Sequence, residues 1–488
     1  MDRSKVIFGN EIPEKVYRKA VRKKEKFTAK YGDDTGKVYH LSSVPANGIG
    51  KSLGVRKIVT SGGEKCEFDI KSVIIGNIRM GFGHYRISMA MASAVHSMGY
   101  TPYWFDLNSF SEATCGKIIS EQNKLYSLGS KLSQTSQLFN KTVWERLNSE
   151  GFRKLSYNAC DQKTSELMTA VFSELPKNIP FIATHAWVAQ SAVQAGLTNV
   201  VNAVPDNWAM ALHLAEGAVH TVQTPSAYLG YRTLRGMDKS RVLKPMPSDS
   251  IVYTGHYVDH ELVSNIESDC AERLSRLKNN RPRRWLMSVG GAGAQKDTFK
   301  SIIRQLLPYI RKNKAVLFIN VGDHKNVWEE LAREVPQMRK FVKLHFNDFS
   351  DTENFTGKIY KSDTKGIHVF CHNDIFEAVY STNLLMRASD ILISKPSELS
   401  FYPIPKLMIK RVGGHEAWGA VRSAEIGDGT YECGTANEIS GMIELMQNSS
   451  DITEQMCSNI ITAKKAGIYD GAYKTAEIAL YLCNCSTH

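Results

Sequence analysis

Apolar residues fall in short runs between polar and glycine-rich turns, and two such rhythms follow one another along the chain. The first opens at Ser72–Gly76, an apolar run that reads as a buried strand. A glycine-rich turn over Asn77–His84 leads into an Ala- and Met-rich helix, Tyr85–Met98, and then a strand at Tyr103–Leu107. Strand, helix and strand in this order predict a parallel sheet with crossover helices. From Ile118 to Leu147, Leu125, Leu128, Leu132, Leu138, Phe139, Val143 and Leu147 recur at helical spacing, which predicts one or two amphipathic helices. Another helical stretch is expected over Thr164–Leu175, and strands at Phe181–Thr184, Val200–Val204, Val219–Val222 and Ile251–Gly255. Residues 261–284 read as helix ending in the basic run Lys278–Arg284, the best linker in the chain.

The second rhythm begins with a strand at Trp285–Val289, a turn at Gly290–Ala294 and a helix at Thr298–Ile310. Ala315–Val321, Val369–Phe370, Ile391–Ile393 and Leu407–Ile409 continue as strands, with helices at Val327–Val335 and Ala378–Ala388. The polar stretch 346–366 is expected to be a surface loop, and 436–488 to be helical. Ahead of both rhythms, residues 1–70 read as an extension whose segment Glu14–Tyr31 is a basic helix, either solvated or docked on an anionic surface. The expected architecture is therefore α/β: two Rossmann-like domains, 71–265 and 266–435, facing a cleft, with C-terminal helices over 436–488.

Composition adjusts this picture in three ways. The 488 residues are 42% hydrophobic and 23% charged, enough to build large cores, which excludes a disordered chain or a disulfide-held miniprotein. Lys plus Arg exceed Asp plus Glu by 61 to 49, and a formal charge of +12 suits either plain solubility or an anionic partner such as a nucleotide or an acidic membrane face. The nine cysteines are scattered with no CxxC, as expected of reduced thiols in a cytoplasm rather than of a zinc ribbon. The first residues stay charged without the apolar core of a secretory signal, and no run of about 18 apolar residues predicts a membrane span.

The chemistry-bearing residues gather where strands end. Gly290-Gly291-Ala292-Gly293 between strand and helix presents bare backbone N–H groups at a helix N-terminus, an arrangement suited to a phosphate or diphosphate. It is neither GxGxxG nor a P-loop. Ser394-Lys395-Pro396-Ser397-Glu398 follows the strand at Ile391, and Glu398 is a candidate for both hydroxyls of a ribose. Gly413-Gly414-His415-Glu416 again follows a strand. In the first half, His84 opens a helix beside Gly81 and Gly83, where the helix dipole favours a neutral ring able to take a proton. Thr184-His185 and Pro205-Asp206-Asn207-Trp208 also close strands, and Asp206 could orient or supply a base.

Taken in order, these segments resemble a glycosyltransferase of the two-Rossmann-domain (GT-B) type. The similarity is to the group containing the diacylglycerol glycosyltransferases, namely monogalactosyldiacylglycerol synthase and the processive glucosyltransferases, and the peptidoglycan N-acetylglucosaminyltransferase. Gly81-Phe82-Gly83-His84 resembles that group's turn after the first strand, and Pro205–Trp208, Thr224-Pro225-Ser226 and Thr254–Val258 follow the order of its acceptor domain. The turn Gly290–Gly293, the run Met386–Pro396 and Gly414–Ala420 resemble its nucleotide-sugar domain. The chain departs from the group at Ser397, where glycine is usual, at Glu398, where the acidic residue stands early, and at His415, where glutamine is usual.

The resemblance implies transfer of a sugar from a nucleotide-diphosphate sugar, a UDP-sugar first of all, to an acceptor hydroxyl with inversion. Gly290, Gly291 and Gly293 would cradle the diphosphate with Lys395 nearby, Glu398 would bind ribose, and His415 and Glu416 the sugar. His84 or Asp206 would deprotonate the acceptor. No D-x-D occurs, and neither a bound metal nor a resident cofactor is expected. The acceptor is open, with a lipid or small molecule favoured over nucleic acid and a peripheral place at the inner face of a membrane possible. Two alternatives stand beside this: a nucleotide-sugar 2-epimerase-like enzyme on the same fold, and an inactive GT-B protein that binds an anionic partner.

Overall fold

In a computed structural model, residues 2–60, 66–79, 81–135, 151–290 and 295–485 are described. The first half builds an eight-stranded sheet from β1 (Leu41–Pro45), β2 (Arg56–Thr60), β3 (Ser72–Asn77), β4 (Thr101–Asp106), β5 (Phe181–Ala183), β6 (Val200–Ala203), β7 (Val219–Val222) and β8 (Ile251–Tyr253). Their order across the sheet is β8-β7-β6-β5-β3-β4-β2-β1. Every pairing is parallel except β1 with β2. β1 and β2 come from the segment read as an extension; each buries one residue fully, Leu41 and Ile58, as suits strands at the margin of a sheet.

The second half builds a six-stranded, all-parallel sheet. Its strands are β9 (Arg283–Ser288), β10 (Ala315–Asn320), β11 (Val342–Phe346), β12 (Gly366–Cys371), β13 (Ile391–Ser394) and β14 (Lys406–Met408), ordered β11-β12-β10-β9-β13-β14. In each sheet the chain leaves in one direction and then resumes on the other side of its first central strand, between β3 and β5 and between β9 and β13. A crevice opens at such switch points outside the carboxyl ends of parallel strands, and ligands of doubly wound sheets sit there. The two halves are thus Rossmann-like domains facing a cleft, the GT-B arrangement.

The helices that matter to the cleft are α1 (Glu14–Tyr31), α2 (Gly83–Ser97), α3 (Thr114–Thr135), α4 (Leu155–Ser165), α5 (Ala186–Gln194), α6 (Ala417–Ile426) and α7 (Gly471–Cys485). α2 is buried almost throughout, because Ala, Ser and Met let it lie between the first sheet and its neighbours. On one side it meets α7, whose Ala472, Ala476 and Ala479 share its core. On another it meets the second half through Tyr85, Trp104 and Phe376, with Trp104 and Phe376 ring centroids 4.6 Å apart. α7 is therefore a late segment folded back on the first domain. Its return lies beside the outward crossing: His256 N donates to Ile468 O at 2.6 Å, and Gly471 N to His256 O at 3.0 Å.

Three sequence expectations change. The stretch 346–366 is no loop: Phe349–Lys361 is a helix capped by Asp348, and it buries Phe349, Thr352, Thr356 and Ile359. Two threonines on its inner face hid the apolar stripe. The helix expected from Thr164 begins earlier, at Leu155, and gives way to 3-10 turns after Ser165. In the basic run, Arg283 and Arg284 open β9. Arg284 is buried because its guanidinium donates to Ile359 O at 2.8 Å, Ala388 O at 3.1 Å and Ser362 O at 2.6 Å, which satisfies a charge that burial alone would penalise. Of the amphipathic stretch Ile118–Leu147, the part to Thr135 lies in α3; residues 136–150 are outside the described residues.

Candidate functional site

A cavity of about 520 Å³ lies in the cleft and takes residues from both halves. From the first come His84, His185, Asp206, Asn207 and His213; from the second, Lys395, Glu398, His415 and Glu416. All sit just beyond the carboxyl ends of strands or in the loops that follow. Three helices also begin here, α2 at Gly83, α5 at Ala186 and α6 at Ala417, so their positive ends converge on one space.

His84 is the second residue of α2, and its Nδ1 lies 2.7 Å from Thr184 O. A carbonyl can only accept, so Nδ1 carries the proton and Nε2 holds the lone pair. Burial lowers the ring's pKa, while the Thr184 carbonyl and the charges of Asp206 and Glu398 work the other way. His185 packs edge-on against it with centroids 4.7 Å apart and caps α5 by accepting from Trp187 N at 3.1 Å. Burial drives the pKa of His185 well down.

Asp206 follows β6, and its Oδ2 lies 3.3 Å from His213 Nε2. Burial would raise its pKa, but the His213 hydrogen bond and the neighbouring imidazoles of His415, His213 and His84 hold it well below the usual carboxylate range. His213 is braced by Tyr231, whose hydroxyl is 2.7 Å from His213 Nδ1. His213 was not among the sequence candidates. It stands in the apolar segment Ala209–Ala215, where no motif or spacing marks it.

Across the cleft, Lys395 pairs with Glu416 Oε1. Glu416 Oε2 accepts from Val412 N at 2.7 Å and Gly413 N at 3.3 Å, which gathers the loop ahead of α6. Burial pushes the Glu416 carboxyl up, and Lys395, His415 and the Val412 N–H bring it below its ordinary value. Glu398 reaches over to the first domain, where a Cβ added to Gly83 would overlap its Oε1. Only glycine at 83 lets this carboxylate approach the positive end of α2. The halves touch again where Asn207 Nδ2 donates to Trp418 O at 3.1 Å and where Arg79 pairs with Asp323.

Of the residues singled out from sequence, His84, Asp206, Lys395, Glu398, His415 and Glu416 are brought to one cavity. Gly290 follows β9 and stands beside Lys395, 3.4 Å from Lys395 Cε to an added Cβ, and is not a cavity wall. Gly291 and Gly293 lie outside the described residues. Cavity-lining residues not foreseen include Trp187, Tyr157, Phe152 and Met210, an aromatic and apolar wall from the first domain.

Fold and cavity define a two-domain α/β protein with its site in the interdomain cleft. Residues 6–233 match a family model described as Domain of unknown function (DUF6937), and residues 246–480 match one described as Domain of unknown function (DUF6938). No curated protein matches the chain. Among solved structures it is similar to UDP-GlcNAc 2-epimerase from Neisseria meningitidis bound to UDP-GlcNAc, at 13% identity and a TM-score of 0.44, over 84% of this chain and 100% of that one. It is similar to an alpha,alpha-trehalose-phosphate synthase (UDP-forming) from Burkholderia vietnamiensis at 11% identity and 0.41, over 86% and 98%. An O-GlcNAc transferase from Thermobaculum terrenum matches at 9% identity and 0.34, over 96% and 75%.

Proposed function

We propose that the protein is a glycosyltransferase that moves a sugar from a nucleotide-diphosphate sugar, a UDP-sugar first of all, to an acceptor hydroxyl with inversion. The observation that carries the reading is His84: its proton is fixed on Nδ1 by the Thr184 carbonyl, and it sits in the cavity opposite the Lys395–Glu416 pair. In this reading the acceptor O–H gives its proton to His84 Nε2 as the oxygen attacks the anomeric carbon. The bond from that carbon to the diphosphate breaks, and its electron pair leaves with the nucleotide. Asp206 and Glu398, both negative and near His84, stabilise the imidazolium that forms. Lys395 and the helix ends that converge on the cavity favour the departing diphosphate, and the sequence reading of Gly290, Gly291 and Gly293 as its cradle is kept as part of the proposal. Glu398 and His415 remain the residues for ribose and sugar hydroxyls, and the finer likeness to the diacylglycerol and peptidoglycan enzymes belongs to the same proposal. No metal or resident cofactor takes part in it.

The test is calorimetry with UDP, GDP, ADP and dTDP, followed by turnover of the matching sugar donor. One diphosphate should bind, and His84→Ala should keep that affinity within about threefold while turnover falls at least about 100-fold. Binding of none of the four, or turnover surviving in His84→Ala, sinks the reading.

A 2-epimerase reading has one observation in its favour: three carboxylates, Asp206, Glu398 and Glu416, meet in the cavity as acid–base partners. Incubating the donor with enzyme in D2O separates the two. Deuterium entering the sugar at C2 without an acceptor would establish epimerisation and exclude simple transfer.

Among the described residues no helix is long and apolar enough to cross a membrane. The proposed location is the cytoplasm, with a peripheral contact through the exposed Lys15, Lys19, Arg22 and Lys26 on one face of α1. Failure to float with phosphatidylglycerol vesicles at low salt would remove the membrane contact.

A further inference from the structure

Asn158 on α4, Gln190 on α5 and Asn202 on β6 are all buried, and all three direct their amides to one segment, residues 210–215, whose middle Ala211–His213 is a single 3-10 turn. Asn158 Nδ2 donates to Ala211 O at 2.7 Å and to Leu214 O at 2.8 Å. Gln190 Nε2 donates to the same Leu214 O at 2.8 Å, and Asn202 Nδ2 to His213 O at 2.7 Å. Three N–H groups of the segment are also held from outside it, Ala215 N by His220 Nε2 at 3.0 Å, Leu212 N by Phe152 O at 2.9 Å and Met210 N by the Tyr231 hydroxyl at 3.3 Å. A stretch that makes no sheet ladder is thereby fixed residue by residue.

The arrangement has a visible cost. Asn158 Oδ1 and Gln190 Oε1 are buried and accept no hydrogen bond. A buried acceptor without a donor costs free energy, so each amide gives up part of the stability that its donated bonds to Ala211 O and Leu214 O contribute. The amides are therefore better explained by the segment they hold than by stability. That segment carries His213, whose Nε2 meets Asp206 Oδ2 at 3.3 Å and whose Nδ1 meets the Tyr231 hydroxyl at 2.7 Å. The ring is thereby held between the Asp206 carboxylate, to which Nε2–H donates, and the Tyr231 hydroxyl.

We propose that Asn158, Gln190 and Asn202 are positioning residues of the site: through the 210–215 segment they place His213 so that it meets Asp206 and fixes that carboxylate relative to His84. The inference rests on the reading of His84 as the base and Asp206 as its counter-charge. The titratable groups around the Asp206–His213 pair are His84 from α2, His185 ahead of α5, His220 on β7, Tyr231, and from the second half His415, with Glu398 acting on His84. Asp206 raises the proton affinity of His84, so a clamp that slackens should lower it.

The experiment follows the His84 Cε1–H resonance of the full-length protein through a pH titration. Four forms are compared: wild type, Asn158→Leu, Gln190→Met and, as the reference for a lost charge, Asp206→Asn. Leucine and methionine keep the size, remove the donor and remove the orphaned oxygen. The His84 midpoint should fall by about 0.5 pH unit or more in both clamp variants, towards that of Asp206→Asn, at temperatures where melting curves show each variant folded. A purely structural role would move the melting temperature and leave His84 alone. If either variant does not fold, Asn202→Ala provides the same comparison. The proposal is overturned if Asp206→Asn lowers the midpoint and the clamp variants do not, or if Asp206→Asn leaves it unmoved. UDP, GDP, ADP and dTDP are titrated in parallel. If none binds, the donor reading fails, and the histidine titration still decides the clamp.

Discussion

At His84 the tautomer, the burial and the nearby charge all bear on one measurable quantity. Because burial lowers its pKa, the ring is unprotonated from below the ordinary histidine value of 6.5 upwards. The rate should therefore be level at neutral pH and fall only as acidification reaches the lowered value. Asp206→Asn removes a charge that favours the imidazolium, so the acid limb of the kcat/KM profile should move to lower pH while kcat drops by about 100-fold. A pH–rate profile of the two proteins checks both, and an acid limb moving upward would contradict the assignment. His84 and Asp206 could be singled out in the sequence because His84 opens a helix beside a glycine turn and Asp206 follows the end of a strand. His213 was not, because its importance lies in a partner seven residues away across a loop whose path no local pattern encodes.

Among the elements, α6 shows how closely the second domain's loops are packed. A Cβ on Gly419 would lie 2.6 Å from Pro396 O and 2.8 Å from Ser400 Oγ. The helix rests directly on the loop that carries Lys395 and Glu398, which requires glycine at that turn. Gly419→Ala should cost about 1–3 kcal/mol of stability by forcing the two apart. It should also weaken nucleotide binding at least about fivefold, since the Lys395–Glu416 pair bridges the same two segments. Denaturant melts and calorimetry on one preparation test both, and unchanged affinity would show the loop to be independent of α6. The central strands of both sheets were legible as apolar runs, whereas β1, β2 and β11, which mix polar with apolar residues, were not, nor was the helix Phe349–Lys361, because Thr352 and Thr356 face inward in place of apolar residues.

For the whole molecule, the two chain crossings and the buried histidines set the terms of stability. Gly471 lies against Gly255 O and, at 2.7 Å from an added Cβ, against His256 O, where the two crossings are joined. Gly471→Ala should lower stability by more than about 2 kcal/mol, read as a reduced melting temperature. Acid should act on the fold as well. His220, His368 and His372 are buried with pKa values of about 4 against an ordinary 6.5, in each case chiefly because burial disfavours the charged ring. The unfolded chain takes up these protons first, so stability is full above pH 6.5 and is lost as pH falls towards 4, each ring contributing on the order of 3 kcal/mol. Asp259, pushed up by burial to about 6, acts in the opposite direction, as do Asp106, Glu216, Asp269, Glu353 and Glu377, while His84, His185, His256 and His345, lowered by burial, act with the three rings. The melting temperature should therefore drop steadily between pH 6.5 and 4, and a flat profile would mean that these rings are hydrated in solution.

The sequence by itself determined the class of architecture: apolar runs too continuous for half-exposed strands, separated by glycine turns and helical stretches, can be buried only as parallel sheets covered by helices. It also determined that the polar chemistry lies at strand ends, because turn glycines and the residues after them must sit there. The tertiary structure alone decided that Glu398 meets Gly83, that His213 meets Asp206, and that α7 returns to cover the first sheet. Such contacts join residues far apart in the chain or on opposite sides of a loop. They depend on how two domains dock and how irregular segments are tied down, and periodicity carries only the local choice of helix or strand and its buried face.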